Sequence, residues 1–200
     1  MKTLIHLVRH AEAENPHNIW YGRMEGFSLS QRGLRQAEAL VKHFAHGGVQ
    51  AVYSSPLTRA LETATPIAES LGLALKIDED LIETETKLQG SPGDLRLLRN
   101  PLNIRFFLNP MRPSWGEPYK SIRLRMGRAI DRILEEHAGA EAIAVSHQTP
   151  VVVARLMIEQ SRKPPWRAKI PCAQASVTTL EYEDGRHVAT HYEPVGSGVV

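Results

Sequence analysis

The chain has 200 residues, 42% of them hydrophobic, with 24 basic and 22 acidic side chains and a formal charge of +2. That length fits one domain, or one domain with a lid, and the near-neutral balance argues against a nucleic-acid groove or a membrane surface as partner. One cysteine, Cys172, leaves no disulfide framework or cysteine metal cluster, and no apolar run is long enough to span a bilayer.

Leu4-Ile5-His6-Leu7-Val8 is a short apolar run that reads as a buried strand and leads into Arg9-His10-Ala11-Glu12. Sites in open α/β sheets form at the carboxyl ends of strands, so this basic pair is expected to face a crevice. A neutral imidazole is a nucleophile, and Arg9 is a forked phosphate ligand that lowers the imidazole pKa through like charge. On this stretch alone, a histidine satisfied by strand-end hydrogen bonds explains the pattern as well. Arg9 also interrupts the apolar run too early for a secretory leader, so a cytoplasmic protein is expected.

A turn-rich loop follows, Asn15-Pro16-His17-Asn18 and then Tyr21-Gly22-Arg23-Met24-Glu25-Gly26. Ser30 is placed to cap a helix to about residue 46, with Leu34, Ala37, Leu40, Val41 and Phe44 as its apolar stripe. Ala51 to Ser54 reads as a second strand. Ser55 as N-cap and Pro56 at the first helical position open a second helix, whose buried face is Leu57, Leu61, Ala64, Ala68 and Leu71. Arg59 falls in its first turn, where the helix dipole disfavours a cation. A bound phosphate would account for it; an exposed arginine paired with Glu62 or Glu38 is the alternative. Leu73 to Asp78 reads as a third strand, followed by Leu81-Ile82-Glu83-Thr84-Glu85.

From Ser91 to Tyr119 the periodicity is lost. Five prolines punctuate the stretch (Pro92, Pro101, Pro110, Pro113 and Pro118) around an apolar centre, Ile104 to Leu108. An insertion of this kind, about 84–120, reads as a lid or binding loop. It carries six basic residues (Lys87, Arg96, Arg99, Arg105, Arg112, Lys120) against three acidic ones (Glu85, Asp94, Glu117), which favours an anionic substrate. Ser121 is placed to cap a helix to about His137, with Ile122, Met126, Ala129, Ile130 and Ile133 facing in. Ala142 to Ser146 is then a buried strand ending in Ser146-His147, with Pro150 opening the next helix, which repeats the arrangement at His10. Ala175–Glu183 and Arg186–Tyr192 flank Asp184-Gly185, a type I′ turn signal, and predict a C-terminal hairpin.

Several of these stretches carry a resemblance. Leu7-Val8-Arg9-His10-Ala11-Glu12 resembles the Arg-His-Gly motif of the histidine phosphatase superfamily (phosphoglycerate mutase-like), with Ala11 where the family has Gly. Gly22, Arg23 and Gly26 match its Gly-Arg-x-Gln-Gly segment, with Glu25 for Gln. Ser54 to Ala64 is similar to its Ser-x-Leu-x-Arg-Ala-x-x-Thr-Ala pattern, and this is the most specific match. Glu83 matches a Leu-x-Glu position. Gly116-Glu117-Pro118 partly matches a Gly-Glu-Ser segment, and Val145-Ser146-His147-Gln148 matches Val-Ser-His-Gly with Gln148 for Gly.

The resemblance implies an α/β protein: a three-layer α/β/α sandwich on a mostly parallel sheet, with a lid insertion and a C-terminal β-hairpin, one domain over residues 1–200. It implies His10 as nucleophile and Glu83 as general acid, together with a protonated His147, Arg9 and Arg59. Glu85 is a rival to Glu83, because the spacing to Gly90 is one residue short. Arg9, Arg59, His147, Arg23, Asn15 and Gln148 are the implied substrate contacts. The implied activity is phosphomonoester hydrolysis through a phosphohistidine, on a small anionic phosphorylated molecule. No metal or cofactor is implied, nor a nucleic-acid or membrane partner; a homodimer is left open. The short chain and the apolar lid centre favour a hydrolase over a phosphoglycerate mutase-type transfer. A non-catalytic phosphate-binding module is the third reading.

Overall fold

The computed structural model describes residues 1–45, 47–94, 99, 116–161, 163 and 165–199. Six strands form one sheet: β1 (Lys2–Arg9), β2 (Val49–Ser54), β3 (Leu75–Ile77), β4 (Glu141–Ser146), β5 (Val177–Glu183) and β6 (Arg186–Glu193), in the order β3-β2-β4-β1-β5-β6. The first four pair in parallel, and the β5–β6 hairpin adds antiparallel to β1. Asp184 and Gly185, both with positive φ, make the hairpin turn, as the type I′ signal requires.

The helices lie on both faces: α1 (Gln31–Phe44) and α2 (Thr58–Ser70) on one, α3 (Tyr119–Glu136) and α4 (Gln148–Ile158) on the other, with a short α5 at Pro165–Ala168. Strand side chains alternate between the two layers. Val8, Val52, Ile143, Val145 and Val177 pack against Ala37, Leu40, Ala60, Ala64 and Ile67 of α1 and α2. Ile5, Leu7, Ala51, Ala142, Ala144 and Leu180 pack against Ile122, Met126, Ile130 and Ile133 of α3 and Val151 and Ala154 of α4. Both faces of β1 and β4 are therefore covered, which is why these strands read as continuous apolar runs.

Some boundaries differ from the sequence reading. Ser30 caps α1, its Oγ accepting from Gly33 N at 3.0 Å, but Leu34 is 43% exposed and Gly33 and Gln36 take its place on the buried face. The α2 helix starts at Thr58, not Pro56, and Ser55 Oγ accepts from Leu57 N at 3.4 Å instead of capping the helix. Its buried face is Arg59, Ala60, Thr63, Ala64, Ile67 and Ala68, rotated from the leucine stripe, so Arg59 points inward. Strand β3 is only three residues long, and α3 starts two residues before Ser121, whose hydroxyl donates to Glu117 instead. Of the predicted insertion, 95–98 and 100–115, including the apolar centre, lie outside the described residues.

Candidate active site

The register of the parallel strands assembles the site. Arg9 pairs with Ser146 and Ser54 with Val145, so β1, β4 and β2 end side by side. His10 and Ser55 each hang one hydrogen bond beyond the ladder, from His10 N to Ser146 O at 2.9 Å and from Ser55 N to Val145 O at 3.0 Å. His147 follows β4 and sits at the N-cap of α4, where its carbonyl accepts from Val151 N. The two imidazoles thus meet across neighbouring strand ends, with ring centroids 5.0 Å apart and planes tilted by 59°.

His10 is 1% exposed, and its Nδ1 lies 2.6 Å from Ala11 O. A carbonyl can only accept, so Nδ1 carries the proton and Nε2 keeps its lone pair. Burial, then Arg59 and Arg9, holds the imidazole well below its ordinary pKa, so it is neutral. His147 is fully buried; its Nε2 meets Ser55 Oγ at 2.7 Å and its Nδ1 has no partner. Burial, His10 and Arg59 depress its pKa well below the ordinary value too.

Arg59 is 1% exposed, donates from Nη2 to Gly22 O at 2.6 Å and lies over the Tyr21 ring at 4.7 Å. Neither Glu62 nor Glu38 is its partner: Glu62 instead accepts from Leu29 N. Gly22 has φ of +46°, and a Cβ there would lie 2.7 Å from Gln89 Oε1, so glycine is needed where the loop meets Arg59. Arg9 donates from Nη1 to Cys172 O at 2.7 Å. The Nε atoms of Arg9 and Arg59 are buried without partners. Ala11 is fully buried, packed with Val8 and Ala60, and its N–H donates to Thr63 Oγ1, so the methyl that replaces the family's glycine is absorbed by the core.

Arg9 and His10 open into a cavity of about 450 Å³, whereas Arg59 and His147, both buried, are not among the residues that line it. Arg9, His10 and Glu83 line it together with Asn15, Gln148, Trp20 and Tyr21. Asn15 spends its amide on Ile19, accepting from its N and donating to its O, each at 3.0 Å, so it shapes the loop. Glu83 Oε1 accepts from Thr84 N at 2.7 Å, and burial raises its pKa against the pull of that bond and of Arg59 and Arg9. Glu85 is exposed and lines a different cavity, as does Arg23. Arg23 donates to Glu83 O at 2.7 Å and to Glu117 Oε2 at 3.1 Å, so it braces the cavity wall rather than lining it. The sequence reading missed Ser55 as the partner of His147; its place just before the Pro56-x-x-Arg59 turn is the only signal.

The site therefore holds a ring nitrogen with a free lone pair, two guanidinium groups and a carboxyl whose pKa burial raises. A family model described as histidine phosphatase superfamily (branch 1) matches residues 5–193. The chain belongs to that superfamily. This histidine phosphatase is 43% identical over 194 residues, 96% of each chain, to the uncharacterized protein Rv0525 of Mycobacterium tuberculosis. It is 28% identical over 197 residues to phosphoserine phosphatase 1 of Hydrogenobacter thermophilus, covering 91% of this chain and 88% of that one. Among solved structures, Bacillus stearothermophilus YhfR shares the fold with a TM-score of 0.81 at 24% identity, over 93% of this chain and 94% of that one. Among the described residues no helix of this histidine phosphatase is long and apolar enough to cross a membrane.

Proposed function

We propose that this histidine phosphatase hydrolyses small phosphomonoesters in the cytoplasm through a phosphohistidine on His10. The observation that carries the reading is the set of buried, unpartnered nitrogens beside the neutral His10 ring: Arg9 Nε, Arg59 Nε and His147 Nδ1. The two arginine nitrogens are donors, a buried donor without an acceptor costs on the order of 1–3 kcal/mol, and phosphate oxygens would supply acceptors for both. His10 Nε2 attacks phosphorus and the bond to the leaving oxygen breaks, while Glu83 gives that oxygen its proton. Arg9 and Arg59 balance the charge on the transferring group, so no metal is required. Water then attacks the phosphohistidine, losing its proton to Glu83, and the P–N bond breaks to restore His10 and the carboxylic acid. The phosphate dianion also favours protonation of His147 once bound.

A panel of phosphomonoesters tests this. Wild type is expected to release inorganic phosphate from at least one class, His10→Ala to lose that activity by more than about a thousandfold, and chelators to leave it unchanged. Efficient interconversion of 2- and 3-phosphoglycerate with only trace hydrolysis would replace the hydrolase by a mutase. Phosphate binding with no turnover of either kind would leave a binding module.

A further inference from the structure

We propose that Glu117 is a positioning residue for the proton donor, holding Glu83 in the cavity through Arg23 and Arg125; this rests on the reading of Glu83 as the acid. Residues 82–85 belong to no helix or strand, so sheet and helix hydrogen bonds do not fix the Glu83 backbone. Carbonyls in this stretch and in the 3-10 turn Glu79–Leu81 just before it are held from outside instead. Asp80 O accepts from Arg125 Nη1 at 2.7 Å, Leu81 O from Ser146 Oγ at 2.6 Å, Glu83 O from Arg23 Nε at 2.7 Å and Glu85 O from Glu117 N at 2.9 Å. Three of these four bonds come from one ionic cluster.

Glu117 is the centre of that cluster. Its side chain is 10% exposed, and its two oxygens accept from Arg125 Nε at 3.0 Å and Nη2 at 3.1 Å, Arg23 Nη2 at 3.1 Å and Ser121 Oγ at 2.8 Å. Those four bonds fill the acceptor sites of a carboxylate. Removing two cations and an anion from water is costly, and such clusters stabilise little beyond a well-packed apolar substitute. What an apolar substitute would not supply is direction. With Glu117 fixing both guanidinium groups, their remaining N–H groups point at the carbonyls of residues 80 and 83, and Glu83 lines the same cavity as His10 and Arg9. Neither arginine touches the cavity that holds His10.

The test compares β-glycerol phosphate, whose alkoxide leaving group needs a proton, with p-nitrophenyl phosphate, whose leaving group does not. Glu117→Gln keeps the shape and removes the charge that orients both arginines. It is expected to lower kcat/KM, which reports phosphoenzyme formation and not the shared hydrolysis step, about tenfold or more for β-glycerol phosphate, part of the range general acid catalysis spans, while kcat/KM for p-nitrophenyl phosphate falls less than about threefold. In a Glu83→Gln background the same substitution is expected to add nothing on β-glycerol phosphate. Arg23→Gln, which leaves the Glu117–Arg125 pair intact, is expected to show the same split and serves if Glu117→Gln does not fold. Equal losses on both esters, or a loss that adds to that of Glu83→Gln, would overturn the positioning role and leave the acid assignment standing. A Glu83→Gln enzyme without any leaving-group dependence would overturn the acid assignment, and this proposal with it.

Discussion

The hydrogen bond from His10 Nδ1 to Ala11 O chooses the reactive atom. It fixes the tautomer, and the strand end aims the free Nε2 into the cavity. Motif reading finds His10 and His147 and expects a lowered pKa at His10, but says nothing of the tautomer, because that depends on what surrounds the ring. Two imidazoles buried neutral also have a cost that pH reveals. An unfolded imidazole takes up a proton as pH falls through about 6.5, whereas His10 and His147 stay neutral until well below it. The unfolded state then binds more protons, so stability falls as pH falls below that value. Glu83 has the opposite sign: with its pKa raised, it loses stability as pH rises through its folded value. Comparison of variants separates the two. The urea midpoint of wild type is expected to drop more between pH 7.5 and pH 5.5 than that of His147→Asn. Parallel midpoints in the two proteins would mean that His147 is not held neutral.

Elements, more than residues, decide where the sequence misleads. Periodicity finds α1, α2 and α3 because each buries a stripe, and on α2 it places Leu57, Ala64 and Ala68 in the core, yet it takes Leu61 and Leu71 for buried positions in place of Arg59, Thr63 and Ile67. The helix is set instead by Arg59 reaching Gly22 O and by Thr63 Oγ1, which accepts from Ala11 N and donates to Arg59 O at 2.7 Å. Tertiary contacts with the loop after β1 thus override the local pattern. The same close packing acts at α1. A Cβ on Gly33 would lie 2.0 Å from Glu12 O, whereas one on Gly127 in α3 meets only Met157 Cε and Sδ at 3.9 Å. Helix propensity favours alanine at either site by about 1 kcal/mol. Gly127→Ala is therefore expected to gain some tenths of a kcal/mol up to about 1, and Gly33→Ala to lose about 1–3 kcal/mol as α1 is pushed off the segment two residues past His10. Chemical denaturation of both checks the contrast. A stabilised Gly33→Ala would mean that α1 is not seated on Glu12.

Across the whole molecule, the parallel sheet does what its topology dictates. Three adjacent strands end level, and their next residues, Ser55, His147 and His10, become one site. This much was legible: alternating strand and helix signals give the layers, and His after a buried strand gives the site. The supporting frame was not. Glu117 and Arg125, eight residues apart, meet Asp80, 45 residues before Arg125, just ahead of a stretch without secondary structure, and no local pattern encodes such a meeting. Arg23 was found as a motif residue, but its place in the wall rather than the cavity follows from Glu117, which fills its second guanidinium nitrogen.

The central claim, phosphoryl transfer to His10, is tested most directly by trapping the intermediate. A turned-over phosphomonoester is mixed with enzyme, quenched rapidly at alkaline pH, where phosphohistidine survives, and the modified peptide is mapped by mass spectrometry and phosphorus NMR. The account predicts one acid-labile phosphate on His10, attached at Nε2, absent from His10→Ala and accumulating when water activation is slowed in Glu83→Gln. Phosphate on His147, on Nδ1 of His10 or on any residue outside the strand ends, or turnover with full rate in His10→Ala, would contradict it.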